Sequence, residues 1–211
     1  AFKTTAAATD DMGKVFFTSA AGNDIQFETV VRKSVYTPGV TYSAFEENGG
    51  WQDNGLFLGY NNKGIVTINY DASATIANAN GSVDFADSNT LLTGFGDLCM
   101  LIRFSGTVTA QTPGAIEVRD GAAGNIFKSD FQVMYIPGTL YHIRVVADMT
   151  AKTYSVWVTP PGESEVKIAS NYGFRPTATD ADDIGQVFVV SAYDTDLVTM
   201  QNLIIESTGN P

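Results

Sequence analysis

The sequence predicts an all-β fold, an antiparallel two-sheet β-sandwich built as a single domain over residues 1–211. Three observations carry that expectation. Tyr141, Ile143, Val145 and Ala147 alternate with His142, Arg144, Val146 and Asp148, the period-two pattern of a strand with one apolar and one polar face. Tyr154, Val156 and Val158 repeat the pattern against Ser155, Trp157 and Thr159, across a polar turn containing Thr150 and Lys152. Turn-forming residues punctuate the chain roughly every 8–12 residues, the spacing of sandwich strands, and no stretch carries a convincing helical period.

Taken in order, residues 1–13 (AFKTTAAATDDMG) are polar and alanine-rich, suited to an edge strand or a loose terminus. Short strands follow at VFFT (15–18), at 25–32, where Ile25, Phe27, Thr29 and Val31 alternate with Gln26, Glu28, Val30 and Arg32, and at VTYSAFEE. ENGGWQDNG (47–55) reads as a loop with Trp51 between a Gly pair and an Asn-Gly turn. LFLGY (56–60) and IVTINY (65–70) form a hairpin around Asn61-Asn62-Lys63-Gly64. Residues 71–90 are small and polar, so the expectation there is a long loop with at most a short edge strand. Asp97–Phe104, TVTAQ, AIEVRDG, IFKSDFQVMY, Tyr141–Asp148, Tyr154–Thr159 and Val166–Ser170 are the next strands. Pro160, Pro161 and Gly162 end one of them, because proline supplies no ladder donor and glycine permits the turn. An acidic loop (PTATDADDIG), QVFVVSAYD and VTMQNLIIES complete a dozen to fourteen strands. Hairpins in a meander are the economical connection.

Composition narrows the function. A chain of 211 residues buries about 70% of its unfolded surface without staples. Twelve Lys and Arg oppose 23 Asp and Glu, a formal charge of −11. That field repels phosphate backbones and anionic lipid, which makes nucleic acid and membrane surfaces poor partners and favours a neutral or weakly charged one. Cys99 is the single cysteine and sits in the apolar run LCMLIRF, so it is expected to behave as a small buried hydrophobe. No apolar run approaches the roughly 20 residues of a membrane span. The chain lacks a start methionine and an apolar leader, as expected of a mature or excised domain. Asn80-Gly81-Ser82 has the spacing of an N-glycosylation acceptor.

The run G-x-L-Y-H-I-R-V-V-A-D, then T-Y-S-V-W-V, P-P-G-E, N-Y-G-F-R and V-T-M-Q-N-L-I-I-E resembles the second half of a concanavalin A-like lectin/glucanase jelly roll, a layout shared by laminin-G-like domains and carbohydrate-associated modules. The likeness covers about residues 95–207, with a looser match to the strand pattern from 15 to 70. It implies a secreted or cell-surface domain concerned with polysaccharide. It does not choose among lectins, non-catalytic modules, hydrolases and lyases, because a fold does not fix a function.

Catalytic patterns are poorly represented. The Glu-x-Asp-x-x-Glu strand of the retaining glucanases is absent: Glu46 and Glu47 are adjacent, Glu163 and Glu165 follow a turn, and Asp194 and Asp196 precede a strand. His142, Arg144 and Tyr141 supply the residue types of a polysaccharide lyase, but Tyr141 has the opposite parity to the other two. One histidine and one cysteine cannot build a zinc triad, and no nucleophile-elbow sequence serves His142.

Binding is better supplied. His142, Arg144 and Trp157 share the polar face of neighbouring strands, giving hydrogen-bonding groups beside one aromatic platform for a sugar. Trp51, with Tyr60 and Asn61 nearby, forms a second candidate ligand site. Asp180, Asp182 and Asp183 are the densest acidic loop and the candidate holders of a structural calcium ion, which takes several oxygen ligands. The expectation is a non-catalytic, lectin-like domain that recognises an extracellular polysaccharide. Its rivals are a lyase or hydrolase with an unrecognised site and a structural or adhesive domain of a larger surface protein.

Overall fold

A computed structural model describes residues 32–35, 56–77, 79–91, 93–106, 112–191 and 198–208. All lie within the compact unit Val31–Pro211. Residues 1–31, and with them the expected strands at 15–18 and 25–31, lie outside the described residues, as do Trp51 and the TVTAQ strand from Thr107 on.

Among the described residues the chain forms twelve strands: β1 Arg32–Val35, β2 Leu56–Asn62, β3 Ile65–Ala74, β4 Gly81–Ala86, β5 Met100–Phe104, β6 Ile116–Asp120, β7 Ile126–Lys128, β8 Tyr141–Asp148, β9 Thr153–Thr159, β10 Val166–Gly173, β11 Ile184–Ser191 and β12 Val198–Ser207. Sheet I runs β1-β12-β3-β8-β9-β10 and sheet II runs β2-β11-β4-β5-β6-β7. Every pairing is antiparallel. The only helical turns among these residues are two short 3₁₀ turns, Phe95–Asp97 and Pro176–Ala178. The β8-β9-β10 meander is as expected and β4-β5-β6-β7 is a second one, whereas β1-β12, β12-β3, β3-β8, β2-β11 and β11-β4 join strands distant in sequence, which crossovers between the sheets allow.

The two sheets meet through the apolar side chains that alternation turns inward. Ile68, Tyr70, Ile143, Val145, Val156 and Ile205 come from sheet I, and Val83, Phe85, Ile102, Phe104, Ile116 and Val118 from sheet II. Tyr70 packs on Phe85 with ring centroids 6.1 Å apart, and Phe104 meets the edge of Tyr135 at 5.2 Å. Cys99 is buried as expected, and burial pushes its thiol up to about 12.

The hairpin expected between LFLGY and IVTINY does not form: β2 pairs with β11 in sheet II and β3 with β12 and β8 in sheet I, so Lys63-Gly64 carries the chain from one sheet to the other. Three further strand expectations need correction. Residues 71–90 are not a loop with an edge strand: β3 continues to Ala74, and β4 lies in the middle of sheet II. Their small residues hide this, since Ala72 and Ala74 carry the inward alternation with little apolar surface. Gly81 is required there, because a Cβ would meet Val198 Cγ2 at 2.5 Å and the Val190 carbonyl oxygen at 2.7 Å. The second correction is at Asp97, which ends a 3₁₀ turn, so the strand begins at Met100. Of IFKSDFQVMY, only Ile126–Lys128 is a strand; beyond it Asp130 N bonds the Ile168 carbonyl at 2.8 Å and Ile116 N bonds Val133 O at 2.9 Å, a segment crossing between the sheets.

Candidate functional site

On β8 the buried–exposed alternation places Tyr141, Ile143, Val145 and Ala147 in the core and His142 and Arg144 on the outer face of sheet I. The ladder then decides their neighbours. Arg144 pairs with Trp157 of β9 on one side and Asn69 of β3 on the other, and Trp157 pairs with Lys167 of β10. His142 pairs with Asp71 and Thr159 in the adjoining row. The three residues expected to share a face therefore do so.

Their side chains form two ordered groups. Arg144 lays its guanidinium 3.9 Å above the centre of the Trp157 ring, and Lys167 Nζ stands 4.8 Å from the same centre. Arg144 Nε donates to Glu165 Oε1 at 2.9 Å and Nη2 to Oε2 at 2.6 Å, a two-pronged pair that fixes the guanidinium plane. This hydrogen bonding holds the Glu165 carboxyl below its usual range and raises Arg144. Glu165 arrives from the turn opened by Pro160, Pro161 and Gly162, with Glu163 N bonded to Pro160 O at 3.1 Å. In the second group His142 Nδ1 lies 2.8 Å from Asp71 Oδ1, and Asn202 Nδ2 donates to Asp71 Oδ2 at 2.7 Å. Asn202 occupies a left-handed conformation (φ 56°) where the β12–β3 register slips between Gln201 and Ile204. Such a bulge re-aims a side chain. Tyr141 turns away: its hydroxyl accepts from Ile136 N at 2.9 Å, so the three lyase-type residues are not gathered. The Trp157 ring is less open than a free aromatic platform, because cations from both neighbouring strands lie over it.

No family model matches the sequence. The chain is similar to a gellan lyase of a Bacillus species, with 28% identity over 148 residues, which is 69% of this chain and 6% of that protein. The chain thus spans a small part of that relative's length. Among solved structures it is similar to the basic winged bean lectin (TM-score 0.50, 12% identity, 85% of this chain and 98% of the lectin). It is also similar to the Lotus tetragonolobus seed lectin (TM-score 0.50, 8% identity, 87% and 84%). The fold is the concanavalin A-like jelly roll.

The other candidate residues occupy different parts of this jelly roll. Tyr60 and Asn61 belong to β2, the edge of sheet II, so they do not join the His142 group in sheet I; the backbone alone separates them. Asn62, beside them, donates from Nδ2 to Ile184 O at 2.7 Å and anchors that edge. Asp182 and Asp183 do gather, but with Asp87, their nearest carboxylate oxygens lying within 4.8 Å of one another; Asp180 is not in the group. The loop's own donors engage these oxygens. Asp87 Oδ1 accepts from Asn89 N at 2.8 Å, and its Oδ2 accepts from the backbone of Asp182 at 2.9 Å and Asp183 at 3.4 Å. Asp183 accepts from Ser88 N at 2.8 Å and Oγ at 2.7 Å, and Lys63 Nζ pairs with Asp182 at 3.1 Å. A lysine ammonium already set on one carboxylate does not fit a calcium site well, since the hard cation would have to displace it. Burial raises the Asp183 carboxyl, against the two hydrogen bonds from Ser88, which lower it.

The outer face of sheet II differs in kind. Asp84, between its register partners Leu101 and Phe188, is wholly buried. Ser82 Oγ donates to its Oδ2 at 2.7 Å, while Oδ1 has no hydrogen-bond partner among the described residues. Burial pushes this carboxyl up to about 8. In the next row Arg103 Nη2 bonds Glu117 Oε2 at 2.6 Å, and Arg103 Cζ lies 3.8 Å above the Phe127 ring. The sequon's Ser82 is part of this buried face.

The residues that the structure adds to the candidate site are Asp71, Glu165, Lys167 and Asn202. Lys167 carried a usable signal, since its distance from the Pro-Pro-Gly turn sets its register against Trp157. Asp71 and Asn202 had none, as they reach His142 only through strand pairings 71 and 131 residues apart in the chain.

Proposed function

We propose that this jelly roll is a non-catalytic, lectin-like carbohydrate-binding module that holds an extracellular polysaccharide across the outer face of sheet I, as one part of a longer protein. The observation that carries the reading is the pre-set array on that face: the Arg144–Glu165 pair lying on Trp157, with the Asn202–Asp71–His142 chain in the adjoining row. Donors and acceptors already fixed by one another lose little side-chain freedom when sugar hydroxyls approach. The face is exposed, with the His142 side chain 46% accessible, so a long polymer can reach it. The likeness to a short part of a gellan lyase supports a module accompanying polysaccharide breakdown. Among the described residues no helix is long and apolar enough to cross a membrane.

One observation favours a second reading, a polysaccharide lyase. Asp71 on Nδ1 of His142 would orient the ring with Nε2 outward, as a general base requires. Against it, Tyr141 faces inward, its hydroxyl taken up by the Ile136 backbone. One experiment tests both: incubation with a panel of neutral and acidic polysaccharides, gellan included, recording gel retardation together with new unsaturated or reducing ends. Retardation without product, lost in Trp157→Ala, is the expected result. New chain ends would overturn it in favour of an enzyme, and silence across the panel would favour a structural or adhesive domain. Because the Asp87–Asp182–Asp183 group reads as a loop clamp, retardation should persist in a calcium chelator.

A further inference from the structure

We infer that the polysaccharide recognised on the outer face of sheet I carries carboxylates, and that Glu165 occupies the seat of the ligand's acid until the ligand displaces it; this rests on the carbohydrate-binding reading above. A guanidinium that offers two parallel donors is matched to one chemical group, a planar carboxylate or phosphate. Arg144 presents that pair outward, and Glu165 fills it with Nε–Oε1 at 2.9 Å and Nη2–Oε2 at 2.6 Å. Glu165 is not part of the sheet surface. It is held at the end of an exposed turn by one exposed ion pair, its side chain 36% accessible and that of Arg144 29%. The pair is exposed and screened by water, and an external carboxylate taking the same two donors replaces what the loss of Glu165 removes.

The surroundings fit an acid better than a neutral sugar. Lys167 Nζ stands over the same Trp157 ring from the other side of the row, bonded to Ser170 Oγ at 3.1 Å and to no carboxylate among the described residues. Displacing Glu165 would therefore leave two cations over Trp157 facing the incoming group. A sugar ring entering there brings its carboxylate to Arg144 and leaves Trp157 in place as the floor under the guanidinium. The overall charge of −11 opposes an anionic polymer at long range, which predicts that binding depends on this local seat rather than on general attraction.

The test uses the whole chain and two forms of each polymer: polygalacturonate and alginate, and the same chains after chemical reduction of their carboxyl groups to primary alcohols. Affinity-gel retention is measured for the native protein and for E165Q, E163Q and R144Q. Glu163 lies in the same exposed turn, so E163Q changes the net charge equally without touching Arg144. The expected result is retention by a polyuronate that disappears when its carboxyls are reduced. E165Q should bind the polyuronate about two- to fivefold more tightly, the scale of one exposed ion pair removed as competitor. E163Q should move it little, and R144Q should weaken it about tenfold or more. Equal gains in E165Q and E163Q, or retention indifferent to carboxyl reduction, would overturn the inference and leave the carbohydrate-binding reading standing. Retention by neither form of any polymer, nor by the wider panel, would overturn both.

Discussion

The two outer faces of the sandwich solve the same problem in opposite ways. On sheet I, Arg144, Glu165, His142 and Asp71 are paired charged or polar groups left in contact with water. On sheet II, Asp84, Arg103 and Glu117 are 0%, 6% and 1% exposed, and the carboxylate of Asp84 is met by a single hydroxyl. Water screens the first set, so its pairs contribute little to stability and remain free to exchange partners. Removal from water makes the second set costly to disturb. The lesson is that exposure, more than residue type, separates a surface able to bind from one that holds the fold.

The largest effect is expected where a buried pair is broken. Glu117→Ala leaves the Arg103 guanidinium without this carboxylate and should cost about 3–5 kcal/mol, read from the denaturant midpoint; a loss below that of a surface pair would erase the contrast between the faces. Asp84 sharpens it through pH. Its folded value, about 8, lies above the ordinary carboxyl value of 3.8, so the folded form holds the proton more tightly than the unfolded one. The stabilisation from that proton is therefore full below pH 3.8 and is lost progressively as pH rises toward 8. Asp84→Asn should flatten this slope and stabilise the protein at pH 7 by on the order of 1–3 kcal/mol, as thermal melts across pH 4–9 would register. Arg144→Gln should change stability by less than about 1 kcal/mol while weakening polyuronate retention about tenfold or more, which would separate binding from folding on sheet I. Smallest of all, added calcium should leave the melting temperature unchanged, since Lys63 and backbone donors already hold the Asp87–Asp182–Asp183 loop; a calcium-dependent rise would reinstate a metal there.

What could be read in the sequence follows the same division. VTMQNLIIES is a strand over the full stretch expected, and the parity of His142, Arg144 and Trp157 placed them on one face before any pairing was known. In β4, Ser82 and Asp84 alternate with Val83 and Phe85, but the run is short and set among small polar residues, and nothing local says that its polar face is itself buried. The partners of the candidate site escaped for a topological reason. Asp71 meets His142 through β3–β8, Asn202 meets Asp71 through β12–β3, and Asp87 joins Asp182 across 95 residues of chain. Local periodicity reports which way a side chain faces, whereas only the strand order reports whom it faces.

The slip in β12 reaches beyond its hydrogen bond. Val198 and Met200 point inward on even positions, Leu203 and Ile205 on odd ones, and Asn202 is the added residue between them. Removing one residue from a strand ordinarily turns everything beyond it inside out. Here, deletion of Asn202 would restore unbroken alternation and keep both apolar sets in the core, while taking away the amide that steadies Asp71. The Asn202 amide is thus an insertion upon a regular strand, and its share of the outer network can be gained or lost in a single codon without rewriting the sandwich beneath it.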